Sequence, residues 1–347
     1  MPPKRRVAKR PHTSPTRSND RQVLNFVYWP ISAVLWFWHK IFGFIFSPDS
    51  GFSWILAIVF LTFTIRVLLV KPMVNQMRSM RRMQEMQPKM QEIRAKYKND
   101  QQKMAEETQK LYKEAGTNPL ASCIVPLVQM PVFLGLFHVL RSFNRTGTGP
   151  GSLGMSVEEN RNTANYIFSP DDVRSFLDAD FFGVPLSAYM SMPESAFGAF
   201  TGLDFTRANI IMVCLPLLII SAVFTHLNAR LSIDRQNERR ASGKTAAPAN
   251  DNAAMMENQM QMMNKMMLWV FPFMILASGA LWHIGLLFYM LANNVWTFFQ
   301  TRIVYDKMDK EEALEEEQKR EAKRASAPQV AARRVDKRTK KQRRQGS

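Results

Sequence analysis

Phe60–Pro72 reads FLTFTIRVLLVKP, with Arg66 inside an apolar run and Lys71-Pro72 at its end. A charged side chain at the middle of a membrane helix costs about 2.5–3.5 kcal/mol even on the lenient insertion scale, so it faces a partner, a wet cavity or the interface. Thr62, four residues earlier, shares its helical face. Arg66 lies six residues before Pro72, about 9 Å along a helix, and from there it can also snorkel to the interface. Other polar groups fall inside apolar runs: Gln129 in a second block, and Asn293, Asn294, Thr297 and Gln300 along the last. Together they form either a wet pocket enclosed by helices or ordinary interhelical hydrogen bonds.

Other chemistry is poorly represented. No HExxH, GxSxG or P-loop pattern occurs, and the five histidines are scattered among different segments. Cys123 and Cys214 both sit in apolar runs without CxxC or metal-ligand spacing, which argues against a disulfide framework or a metal site. Neither catalysis nor a cofactor is expected. The basic N-terminal stretch carries no small-x-small cleavage pattern, so a cleaved signal peptide is not expected either.

The elements that must hold these residues are blocks of apolar sequence. Mean hydropathy is −0.20, a soluble-protein average, yet the apolar residues collect in runs of about 17–25, the length that spans a bilayer. Five spans are expected: Phe52–Val70, Leu120–Leu140, Ile210–Leu227, Met266–Leu281 and Ile284–Ile303. Val23–Phe46 is rich in aromatic residues but holds Pro30 and His39-Lys40; it either lies in the interface as an amphipathic helix or spans, with the basic residues before it inside.

Charge sets the orientation. Residues 72–118 hold ten Lys/Arg and residues 228–265 hold six, whereas residues 143–208 hold four against eight acidic residues. The first two are therefore cytoplasmic and the third external, which also puts the C-terminus inside. The net charge is +17, of which residues 1–21 and 319–347 supply +16. Such tails suit anionic lipid head groups or ribosomal RNA, or act as solvating ends.

The expected organisation is an all-α integral membrane protein with ten segments: a basic tail (1–21); an interfacial or spanning helix (22–50); the first core span (51–71); a cytoplasmic helical hairpin (72–118); the second span (119–142); an external loop (143–208); the third span (209–228); a cytoplasmic loop (229–265); the fourth and fifth spans (266–304); and a basic cytoplasmic tail (305–347). Asn99-Asp100 marks the hairpin turn, Gly116 and Pro119 its stop, and Pro88 either kinks the first arm or starts a new helix. Met73, Met77, Met80, Met83, Met86 and Met90 make a stripe at helical spacing. That stripe is either an adaptable surface for apolar partners or the hairpin's buried seam.

Four stretches resemble the YidC family of membrane protein insertases, whose organelle relatives are the Oxa and Alb proteins. They are TFTIRVLLVKP, MQEMQPKMQEIRAKYKND, NPLASCIVPLVQMPVFLGLFHVL and GLLFYMLANNVWTFFQ, in family order over about residues 22–308. HVLRSFNRT and NYIFSPDDV are similar to its actinobacterial branch. The resemblance implies a five-helix core with a hydrophilic groove open to the cytoplasm and the lipid, in a bacterial plasma membrane. It also implies that Arg66 is the groove arginine, that Thr62 and Gln129 line the groove and that Tyr289 contacts substrate; Asn294 and Gln300 are expected in the same groove from their place among the polar residues of the last span. Nascent membrane proteins are the implied substrates. Their polar outer segment enters the groove while the apolar helix slides along the second and fourth spans. The Sec translocon, the ribosome, its targeting factor and membrane lipids are the implied partners. The external segment is short beside the large domain of Gram-negative members. A small-solute transporter built around Arg66 is the main rival from another class, although no internal repeat is visible.

Overall fold

The computed structural model describes residues 16–116, 121–146, 153–200, 202–243 and 251–326. Most of both basic tails lies outside the described residues. Helices dominate: α1 (Thr16–Phe46), α2 (Gly51–Glu85), α3 (Gln87–Lys96), α4 (Gln101–Glu114), α5 (Ala121–Arg141), α6 (Val157–Arg161), α7 (Pro170–Asp178), α8 (Arg207–Ala241), α9 (Asp251–Lys265), α10 (Phe271–Ser278) and α11 (Ile284–Ser326). The described strands, β1 (Asp180–Phe181) and β2 (Val184–Pro185), pair as one antiparallel hairpin. The chain divides into two compact units, Met1–Phe299 and Gln300–Ser347, and the second holds the C-terminal part of α11.

Among the described residues, four stretches are long and apolar enough to cross a membrane: Asn25–Phe46, Gly51–Glu85, Arg207–Ala241 and Asn258–Leu281. The all-α membrane class expected from the sequence is thus the class observed. The 21 residues of α5 extend about 31 Å, also a bilayer's width. Asn258–Leu281 is continuous but irregular, passing through a π-helical turn at Met266–Val270 and a 3-10 turn at Gly279–Leu281.

The interior is one apolar cluster that includes Leu35 of α1, Ile58 and Leu61 of α2, Leu136 of α5, Leu218 of α8 and Leu287 of α11. The surface of the spans is equally apolar: Leu68, Met212, Phe273 and Phe44 are all exposed. In water such a face is a liability, but against lipid it carries no such cost.

Beyond its apolar stretch α2 passes Pro72 and continues to Glu85. Pro88 then falls in the first turn of α3, where its missing N–H breaks no helical bond. Asp100 caps α4 by accepting from the Lys103 amide at 3.0 Å, and Gly116 follows with φ +60°, a conformation glycine adopts without strain. Met86, Met90 and Leu111 are the buried core of this hairpin, whereas Met80 is 44% exposed. The methionine stripe is therefore divided between a seam and an open face.

Residues 153–200 and 202–206, read from the sequence only as a loop, form a folded layer. Ser169 and Asp172 make a capping box at the start of α7, and Thr206 with Asn209 makes another at the start of α8. Trp54 of α2 reaches into this layer, with ring centroids 5.6 Å from Phe143 and 5.0 Å from Phe176 and its indole N–H on Ser175 Oγ at 3.1 Å. Gly51 fits beneath it because a Cβ there would stand 1.8 Å from the Asp180 carbonyl oxygen. Buried Arg145 ties the layer together, donating to Asn160 Oδ1 and to the carbonyls of Thr163 and Ala164.

Candidate functional site

Arg66 sits on α2 and is 6% exposed. Its Nε donates to Asn293 Oδ1 at 2.9 Å, and Nη2 donates both to that oxygen and, at 3.0 Å, to Thr297 Oγ1. Asn293 and Thr297 are four residues apart on α11, so they present one face to α2. Nη1 meets the Met73 sulfur at 3.9 Å. The guanidinium is thus turned inward and clasped by α11.

A tight pocket, without free room for a water molecule, lies beside this clasp, lined by Thr62, Ile65 and Arg66 of α2, Gln129 and Val132 of α5, and Tyr289 and Asn293 of α11. Gln129 Nε2 donates to the Tyr289 hydroxyl at 2.7 Å, linking α5 to α11 as Arg66 links α2 to α11. Thr62, 1% exposed, spends its hydroxyl on the Ile58 carbonyl at 2.8 Å. Four of the residues singled out from the sequence, Arg66, Thr62, Gln129 and Tyr289, therefore line one pocket.

Two others are placed elsewhere. The Asn294 amide turns toward α8, donating to the Ser221 carbonyl at 3.3 Å and Thr225 Oγ1 at 3.1 Å, while the Asn294 carbonyl accepts from Asn228. One residue along a helix is about 100° of rotation, which is why Asn293 and Asn294 serve different neighbours. Gln300 is buried at the start of the second compact unit, and the pocket is lined by first-unit residues alone. Asn293 is the residue whose weight the sequence reading understated; the i, i+4 pair Asn293/Thr297 was the available signal.

The layer formed by residues 153–200 and 202–206 has its own electrostatics. Burial alone pushes the Asp172 carboxyl up, but the Lys40 ammonium at 2.6 Å and the hydrogen bonds from Ser169 outweigh it and hold the group below the ordinary carboxylate value. Lys40 belongs to α1, so this contact ties α1 to the layer. Tyr28 of α1 stacks on His138 with centroids 4.2 Å apart, and His138 Nε2 lies 2.7 Å from the Tyr166 hydroxyl. No group of three or more His, Cys, Asp or Glu that could hold a metal occurs among the described residues.

The family model described as 60Kd inner membrane protein matches residues 45–311, which includes the pocket and both helices of the clasp. The chain belongs to this family, that of YidC. A Mycobacterium tuberculosis protein named membrane protein insertase YidC is 42% identical over 309 residues, covering 89% of this chain and 80% of the relative. The Mycobacterium leprae protein of the same name is 42% identical over 305 residues, covering 88% and 76%. The Streptomyces avermitilis one is 31% identical over 282 residues, covering 81% and 58%. These relatives are actinobacterial, and membership places the chain in a bacterial membrane.

Proposed function

We propose that this protein is a membrane protein insertase whose substrate path runs through the pocket beside Arg66. The observation that carries this is a cationic side chain held at membrane depth by neutral partners alone, facing a pocket shared by three helices instead of snorkelling to the interface. A buried charge of this kind is expensive and marks a site by default. The physical task fits. Drawing a polar segment across hydrocarbon leaves its amide groups unpaired at several kcal/mol each, and a polar groove part-way through the bilayer shortens the dry path. Burial of the substrate's apolar helix in lipid supplies the driving force, so no nucleotide is needed.

Newly made membrane proteins are the substrates, received with the cytoplasmic hairpin and the C-terminus inside. The charge balance of the connections supports that orientation. The ribosome, its targeting factor and the Sec translocon are the proposed partners, with basic residues 319–347 the proposed attachment to ribosomal RNA.

The N-terminal helix α1 is proposed to lie along the outer interface. Tyr28 and Lys40 are 12 residues apart, about 18 Å along a helix, yet they neighbour Tyr166 and Asp172 of the same outer layer. A helix running straight through the bilayer would carry one of them far from that layer. This arrangement outweighs the preference of basic residues 1–21 for the inside.

A photoreactive amino acid at Val132 tests the path. Crosslinks from Val132 to the polar outer segment of a ribosome-held membrane protein support it. Crosslinks only to lipid, while insertion proceeds, would place the path elsewhere.

A further inference from the structure

One atom of the pocket is left without a partner among the described residues, and another with a weak one, once the clasp is made. The Oε1 of Gln129 is buried without a hydrogen-bond partner among the described residues. Among the described residues Arg66 Nη1 meets the Met73 sulfur at 3.9 Å, a long contact, while Nε and Nη2 are committed to Asn293 and Thr297. An orphaned buried acceptor and an underused buried donor are both costly, and here they belong to facing walls of one pocket. One unmatched acceptor and one weakly matched donor are the complement of a peptide unit, which offers one N–H and one C=O.

We propose that the groove reads the backbone of the translocating segment, with Gln129 Oε1 accepting a substrate amide N–H and Arg66 Nη1 donating to a substrate carbonyl. This deepens the insertase reading and rests on it. Each non-proline residue carries the same two groups, so the site accepts successive residues of an extended segment without regard to side chain. Asn293 and Thr297 assist by holding the guanidinium plane still while Nη1 is exchanged between carbonyls. As it stands the pocket has no free room even for a water molecule, whereas ordinary ligand sites measure roughly 300–1,000 Å³. Substrate entry therefore parts α5 from α11 and breaks the Gln129–Tyr289 bond.

The test uses chemically synthesised single-span substrates and liposomes holding the wild-type protein. One substrate carries an acidic outer segment, a second has its Asp and Glu changed to Asn and Gln, and a third is N-methylated on alternate backbone amides of that segment. Neutralisation is expected to leave the insertion rate within about twofold, while N-methylation slows it about three- to tenfold, the worth of one net hydrogen bond. N-methylation removes a polar donor and by itself eases passage through hydrocarbon, so a slowing cannot come from the lipid. In Gln129→Leu, the unmodified substrate should be slowed by a similar factor and N-methylation should slow it no further. Slowing by neutralisation but not by N-methylation would overturn the proposal in favour of charge recognition and leave the insertase reading intact. Insertion of none of the substrates above empty liposomes would overturn both.

Discussion

Replacing neutral Asn293 should harm the fold more than replacing charged Arg66. In Asn293→Leu the guanidinium stays buried but loses the oxygen that accepts from both Nε and Nη2, keeping Thr297 Oγ1 at 3.0 Å and the long Met73 sulfur contact at 3.9 Å. Leaving a buried charge without its partner costs about 3–5 kcal/mol. In Arg66→Met the charge is gone, and what remains is an unmatched Asn293 oxygen, worth about 1–3 kcal/mol, offset by relief from burying the cation. The double variant removes both demands and should recover most of the loss, giving a coupling of about 2–3 kcal/mol in a double-mutant cycle. Equilibrium unfolding of purified protein in detergent, followed by tryptophan fluorescence, measures all three. An Asn293→Leu cost below about 1 kcal/mol, the scale of a solvated contact, would mean that water or the interface satisfies Arg66 and that the clasp does not hold it.

Other consequences can be checked separately. Gly51→Ala should cost about 1–3 kcal/mol by overpacking against the Asp180 carbonyl, visible as faster proteolysis of residues 153–200 at an unchanged hairpin 87–114. The Asp172 carboxyl is depressed in the folded protein, so its contribution is complete above the unfolded value of about 3.9 and is lost as pH falls through the lower folded one. Amide exchange in α7 should therefore be flat from about pH 5 upward, after correction for intrinsic rates, and its protection should fall in more acid solution; Asp172→Asn should abolish that acid step, and an unchanged step would assign it to another group. Deleting residues 319–347 should weaken ribosome binding and flatten its salt dependence, and unaltered binding would confine the tail to lipid.

The legible parts of this molecule were those with long periodicity or a strong cost. Blocks of apolar residues announced the spans, and Arg66 announced itself because a charge inside FLTFTIRVLLVKP has to be explained. The hairpin followed from Asn99-Asp100, Pro88 and Gly116, each a local backbone signal. The folded layer of residues 153–200 and 202–206 was not legible. Its helices α6 and α7 have 5 and 9 residues, too few for a periodic pattern, and its core is shared with Trp54 and Phe143 from distant segments. Nor could sequence alone separate Asn293 from Asn294, since only the rotation of α11 against α2 and α8 decides which amide meets Arg66. The methionine stripe stayed ambiguous for a related reason: Met86 and Met90 are buried by α4, which packs back only once the turn has formed, while Met80 lies beyond its reach.

The most direct measurement is protease protection of a freshly translated short membrane protein presented to liposomes holding the wild-type chain, Arg66→Lys or Arg66→Ala. A lysine keeps the charge but loses the planar fork that bonds Asn293 through Nε and Nη2 and leaves Nη1 as a further donor. The account predicts protected, inserted substrate with wild type, partial protection with lysine and near-background protection with alanine, all three proteins being folded by unfolding assay. Equal protection by all three would contradict a working role for Arg66, and no protection above empty liposomes for any of them would contradict the insertase function itself.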